Sequence, residues 1–174
     1  MSFLTRATGF RQSAAAIMLL IGTSITVGTA LLFQYVGGYI PCALCLEQRI
    51  PYYIAIPVAL LAMIAAGGRA KAILVRGLLI VLGLLMLWSL YLGVFHAGVE
   101  WGYWPGPAEC SGGGGGNLMG GDLLATIDAV RAPSCDEAAG RFLGLSFAGW
   151  NAIASAVLAS IALGAAIARS DRTV

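Results

Sequence analysis

The stretch GLLIVLGLLMLWSLYLGVF, Gly77 to Phe95, runs 19 residues without a charged side chain. A helix needs roughly 20 predominantly apolar residues to cross the hydrocarbon core of a bilayer. Backbone N–H and C=O groups in lipid must be bonded within the segment, so the stretch is expected to be a membrane helix. Three other blocks share the property: Ala14 to Phe33 over 20 residues, Ile50 to Ala66 over 17 and Phe147 to Ala168 over 22. Of the 174 residues, 59% are hydrophobic and 10% are charged, against roughly 25% charged in a soluble domain. A chain this short has too little interior to hide so much apolar surface from water. A very apolar soluble helical bundle is the competing reading, and the gathering of apolar residues into long uncharged blocks opposes it. Arg6 and Arg11 ahead of the first block suggest a signal peptide. Its length exceeds the roughly 7–15 residues of a signal core, and further spans follow, so it is read as a retained span.

The sequence therefore predicts an all-α membrane protein, an antiparallel four-helix bundle forming one domain over 1–174. The spans are expected at about 14–33, 50–66, 77–95 and 147–168. Four spans put both termini and the loop between spans two and three on one side. That side holds seven of the ten basic residues (Arg6, Arg11, Arg69, Lys71, Arg76, Arg169 and Arg172) and one acid, Asp171. The other side holds Arg49, Arg131 and Arg141 against seven acids, Glu100 among them. The positive-inside rule places the first side, with both termini, in the cytoplasm. The net charge of +2 conceals this asymmetry and carries no sign of nucleic-acid binding.

The two outer loops are expected at about 34–49 and 96–146. Cys42 and Cys45 fall in the first, Cys110 and Cys135 in the second, so all four cysteines face outward. In a bacterium that side is the periplasm, where disulfides form readily, unlike the cytosol. The second loop opens with the aromatics Trp101, Tyr103 and Trp104, residue types that favour the membrane–water interface. Five successive glycines, Gly112 to Gly116, then disfavour regular structure. Leu123, Leu124, Ile127 and Val130 fall on one helical face. They predict a short amphipathic helix, either on the bilayer surface or packed on the loop.

The chemistry centres on IPCALCLEQR, Ile40 to Arg49. Three readings of its C-x-x-C pair compete. A zinc site needs four ligands, often two such pairs. Cys110 and Cys135 have 24 residues between them, so only three-dimensional convergence, with His96 as a substitute ligand, would complete the site. Two inert disulfides, Cys42–Cys45 and Cys110–Cys135, are the structural reading. The second would stabilise by roughly 3 kcal/mol, whereas the first closes too small a ring to constrain the unfolded chain. Redox chemistry is the third, and it is favoured because the resolving thiol of C-x-x-C is always in reach. Pro41 suits a helix start, so the pair is placed at the helix N-terminus of span two, where partial positive charge favours a thiolate. Arg49, four residues past Cys45, shares its face; it either supports the site or snorkels to the headgroups. Glu47 and Gln48 are read as solvated. No haem, flavin or iron–sulfur motif is visible, so location alone points to a membrane quinone as electron acceptor.

FQYVGGYIPCALCLEQR and, ahead of span four, RFLGLSFAGWN resemble the signature of the DsbB family, the disulfide bond formation proteins of the bacterial inner membrane. The likeness runs from about Leu31 to Ala168. It implies a relay: a periplasmic DsbA-like thioredoxin-fold oxidase attacks the Cys110–Cys135 disulfide at Cys110, and Cys135 attacks Cys42 and frees Cys45. The Cys45 thiolate, supported by Arg49, then donates to ubiquinone or menaquinone as a charge-transfer complex, and electrons leave through the respiratory chain. Each exchange is governed by thiol pKa and access. By the same resemblance His96 lies near the quinone as a proton carrier, or is an interfacial residue with a satisfied hydrogen bond. Gln34 is placed near the quinone ring, and Met86, Trp88 and Tyr91 are read as packing or lipid-facing. The pentaglycine departs from the family pattern and is read as a mobile tether for Cys110. A paralogue serving one dedicated substrate, and a non-catalytic protein held by disulfides or zinc, are the alternatives. Four cysteines allow three pairings, and the resting one stays open.

Overall fold

The protein, seen in a computed structural model, is described over residues 9–68, 70–107, 110 and 134–169. Helix α1 (Phe10–Tyr35) is followed by the short α2 (Ala43–Glu47), then α3 (Ile50–Gly67) and α4 (Ala72–Glu100). A hairpin of β1 (Arg141–Phe142) and β2 (Leu145–Ser146) leads into the last helix, α5 (Phe147–Ile167). With α2 and α3 taken together as Ala43–Gly67, four helical segments are long and apolar enough to cross a membrane. The chain is thus a multi-pass four-helix membrane bundle. The pentaglycine and the amphipathic helix expected after it lie outside the described residues.

Helix α1 packs on α3, α3 on α4, and α4 most closely on α5; α1 and α5 meet more loosely and close the ring. Small side chains permit the close contacts, as expected where lipid supplies no hydrophobic drive between helices. Ala55, Ala59, Ala62 and Ala66 form one fully buried stripe on α3. On α4, a Cβ added to Gly93 would stand 3.0 Å from the Ala152 backbone nitrogen, so only glycine allows the two backbones to meet there. Met86 packs in the core, while Trp88 and Tyr91 are exposed on the outer face.

The helices run past the uncharged blocks. Span one starts at Phe10, span two reaches back to Ala43, and span three runs from Ala72 to Glu100. Arg76, His96 and Glu100, read as loop residues, are therefore helical. The physical reason is that a helix tolerates polar residues at its ends when they find internal partners. Arg76 is fully buried and donates to the carbonyls of Ala166 and Ala168. Gln12, also fully buried, donates to Ala165 and Ala168 oxygens at 3.1 and 3.3 Å while accepting from the Gly9 N–H. Together they satisfy the carbonyls that the last turn of α5 leaves without helical partners, and the arginine also complements the negative helix end. Replacing Arg76 with methionine is expected to destabilise the bundle by about 3 kcal/mol. A thermal midpoint in detergent equal to the parent's would refute that role.

The β1–β2 hairpin was not expected. Its tip, Leu143 and Gly144, has φ of 52° and 82°. Positive φ at both central residues is the geometry of a type I′ turn, whose twist suits two paired strands. It carries the chain back over the bundle end that bears the cysteines.

Candidate redox site

Cys42 is the N-cap of α2, its Sγ accepting from the Cys45 backbone N–H at 3.2 Å. Cys42 and Cys45 are free thiols with their sulfurs 2.6 Å apart. That contact, reinforced by burial, pushes the Cys42 thiol well above its ordinary pKa. The backbone N–H at the helix start acts in the other direction on Cys42, as expected there, but is the smaller effect. Cys110 and Cys135 form a disulfide. Both are buried, and they pack with Cys42, Leu44 and Val99 in one cluster. The Cys135 sulfur, the Cys42 sulfur and a ring nitrogen of His96 lie within 4.8 Å of one another. Residues from two distant loops thus meet at one point.

His96 sits beneath this cluster and is 3% exposed, so it is a buried residue rather than an interfacial one. Its Nε2 is 3.7 Å from Cys42 Sγ and 3.8 Å from Glu100 Oε1. Its Nδ1 is 2.6 Å from Gln48 Nε2. The same Gln48 amide nitrogen donates to the Leu44 carbonyl at 3.3 Å, and a carbonyl only accepts. Asn151 Nδ2 donates to Gln48 Oε1 at 2.7 Å, which fixes the other end of the amide. Gln48 therefore presents N–H to His96, Nδ1 accepts, and the ring proton of the neutral histidine stands on Nε2. Tyr52 extends the network, its hydroxyl 2.7 Å from Asn151 Oδ1 and 2.8 Å from Ser155 Oγ, and Ser155 donates to Ser89 at 2.8 Å.

Beside the thiols lies a cavity of about 350 Å³, within the usual range for small-molecule sites. Residues of α1 and α5 line it, where those helices pack loosely, together with Cys45, Gln48, Arg49, His96 and Glu100. Phe33, Tyr39 and Phe147 form an aromatic cluster on its wall, with ring centroids 4.9 to 5.9 Å apart. Arg49 Nη1 donates to Gln34 Oε1, so the guanidinium is turned to a cavity-lining side chain rather than out to headgroups. An apolar, aromatic-walled cavity with one cationic, hydrogen-bonding end fits a flat ring that carries carbonyl oxygens.

The donors Cys42, His96 and Cys135 are also close enough for a metal ion. In this state their chemistry is committed elsewhere. Cys135 is spent in a disulfide, and Nε2 of His96 holds a proton that a metal would have to displace while the Gln48 amide turned over.

Sequence reading placed Cys42, Cys45, Arg49, Gln34 and His96 near one another, and the structure brings them together with the Cys110–Cys135 pair. It missed Gln48, taken as solvated but 5% exposed, and Glu100, whose side chain is 3% exposed. The i,i+4 spacing of Glu100 from His96 was the signal available for the acid. Asn151 was legible as a polar side chain inside an apolar span.

An uncharacterized protein of Rickettsia prowazekii (strain Madrid E) is 31% identical over 101 residues, 58% of this chain and 55% of that protein. The chain thus spans about half the length of the curated relative it matches. No solved structure matches it. The family model described as disulfide bond formation protein DsbB matches residues 12–165, a stretch that takes in both cysteine pairs, the cavity and all but the outermost residues of the four spans. A membrane bundle that brings a C-x-x-C dithiol, a second cysteine pair and a buried histidine together under that match belongs to the DsbB family of disulfide bond formation proteins.

Proposed function

We propose that the protein reoxidises the dithiol of a periplasmic DsbA-like thioredoxin-fold oxidase and passes the two electrons to a membrane quinone in the bacterial inner membrane. Family membership supports a thiol oxidoreductase of disulfide bond formation. The observation that carries the finer reading is the position of the Cys42–Cys45 pair between two partners. The Cys135 sulfur stands within 4.8 Å of Cys42 on one side, and Cys45 opens into the aromatic-walled cavity on the other.

The order of thiol–disulfide exchange follows. A partner thiolate attacks Cys110, and Cys135 leaves as thiolate. Cys135 attacks Cys42 of an oxidised Cys42–Cys45 pair and releases Cys45; the partner's second thiol then displaces Cys110 and leaves as disulfide, and Cys110 attacks Cys135 to free Cys42. Cys110 is 4% exposed, so a soluble partner reaches it only once its packing against Cys42, Leu44 and Val99 opens. The pattern of free Cys42 and Cys45 beside a closed Cys110–Cys135 bond corresponds to the stage at which the electrons rest on the C-x-x-C pair.

A bound quinone, ubiquinone or menaquinone, supplies a two-electron acceptor that becomes a quinol. Arg49 and Gln34 would hold its polar end, and Phe33, Tyr39 and Phe147 would flank its ring. Purified protein mixed with a reduced thioredoxin-fold partner and a short-chain ubiquinone is expected to form quinol in step with partner oxidation. Partner oxidation that proceeds without quinol would overturn the electron route.

A further inference from the structure

The cavity contains one acid that the relay leaves unused. The Glu100 carboxyl ends α4, its side chain 3% exposed, and it lines the cavity together with Cys45. The carboxyl accepts from the Ser146 hydroxyl and its Oε1 lies 3.8 Å from His96 Nε2, but its Oε2, also buried, finds no hydrogen-bond partner among the described residues. A buried carboxylate oxygen without a donor is costly, whereas the same oxygen carrying a proton is far less so. The charged and titratable groups about it are His96 on its own helix, Cys45 on α2 and Arg141 on β1.

We propose that Glu100 is the proton-transfer group of this site, taking the proton of Cys45 when that thiol ionises and delivering it to a quinone oxygen. The inference rests on the quinone reading given above. Two arguments carry it. First, His96 does not serve as the base in this arrangement. Gln48 occupies the lone pair of Nδ1, and Nε2 already bears hydrogen and bonds the Cys135 backbone, so the ring has no free lone pair to take a proton. Second, a Cys45 thiolate and a Glu100 carboxylate would be like charges sharing one low-dielectric cavity. Two such acids hold one proton between them. Ionisation of Cys45 is therefore cheapest when its proton passes to Glu100 and the cavity keeps a constant charge.

The balance closes. The Cys45 S–H bond breaks and a Glu100 O–H bond forms. When the Cys42–Cys45 disulfide forms, the two sulfurs give up an electron pair to the quinone and the Cys42 S–H bond breaks. Glu100 returns its proton to one quinone oxygen, and the Cys42 proton supplies the other. Two thiols and a quinone become a disulfide and a quinol. His96 stays outside the transfer, its ring N–H held by the Cys135 backbone.

The first test needs no quinone. Infrared difference spectra of quinone-free protein, recorded between the dithiol and disulfide states of Cys42–Cys45, should contain a protonated-carboxyl band that shifts in heavy water. Glu100→Gln should lack it. No band, or a band that survives in Glu100→Gln, overturns the assignment. With quinone present, Glu100→Gln should slow quinol formation roughly 100-fold, the lower range for loss of general acid–base catalysis. The parent's rate should fall as pH rises through ionisation of the carboxyl, and the variant should lose that limb. Glu100→Asp, which keeps the acid, should recover part of the rate and the limb. A Glu100→Gln protein that melts like the parent, yet turns over at the parent's rate with the parent's pH profile, also overturns it. If the parent itself makes no quinol, the quinone reading fails, whatever the infrared band shows.

Discussion

Quinol formation is expected to fall to background in Cys45→Ser, a loss on the order of 10⁴-fold or more, as when an enzyme's nucleophile is removed. A serine hydroxyl at this position neither ionises near neutral pH nor forms a disulfide, so the cavity loses its electron donor. Arrest of the pathway should also leave a covalent mark. The Cys42 thiol remains, and the Cys135 sulfur stands within 4.8 Å of it. Cys42 can then attack the Cys110–Cys135 disulfide at Cys135, forming a Cys42–Cys135 bond and releasing Cys110. Cys45, the thiol that would attack Cys42 and free Cys135, is gone, so only the released Cys110 can reverse the step. Peptide mapping without reductant should find that cross-link enriched in Cys45→Ser and absent from a Cys42→Ser, Cys45→Ser double variant. Full quinone turnover by Cys45→Ser would remove Cys45 from the electron route.

Arg49→Met is expected to weaken quinone use more than partner exchange. The substitution keeps much of the side chain's length and apolar stem but removes the cation from the cavity wall. Loss of a charge-assisted hydrogen bond costs about 1.5–3 kcal/mol, or roughly 10- to 150-fold in affinity. The quinone concentration for half-maximal turnover should rise by that factor. Oxidation of a reduced partner by the preformed Cys110–Cys135 disulfide, followed in a single turnover without quinone, should keep the parent's rate. Gln34→Leu should show a smaller shift in the same direction, because Gln34 receives one of the guanidinium's hydrogen bonds and orients the cation without supplying charge. An equal loss in both half-reactions would assign Arg49 to the stability of the α2–α3 junction instead.

These two expectations rest on residues legible before any coordinates. Cys45 and Arg49 stand out because a dithiol and a cation at the mouth of a membrane span are unusual and costly. Glu100 and Gln48 were passed over for the opposite reason. At the edge of an apolar block a polar residue reads as the start of a loop, and nothing local distinguishes a solvated glutamine from one clamped between His96, Leu44 and Asn151. Arg76 was placed in the basic loop in the same way, although it lies in α4 with the terminal carbonyls of α5 as its partners.

The sequence by itself determined that this is a four-span membrane bundle carrying two cysteine pairs. Those conclusions depend on properties that accumulate along the chain: apolar length, the interruption of charge, and the spacing of C-x-x-C. Tertiary structure decided which groups share a cavity and in what protonation pattern. The meeting of Cys135 with Cys42, the Nε2–H tautomer of His96 and the unpartnered oxygen of Glu100 each depend on contacts between helices far apart in the chain. Hydrogen-bond direction and burial are properties of those contacts, and no local pattern encodes them.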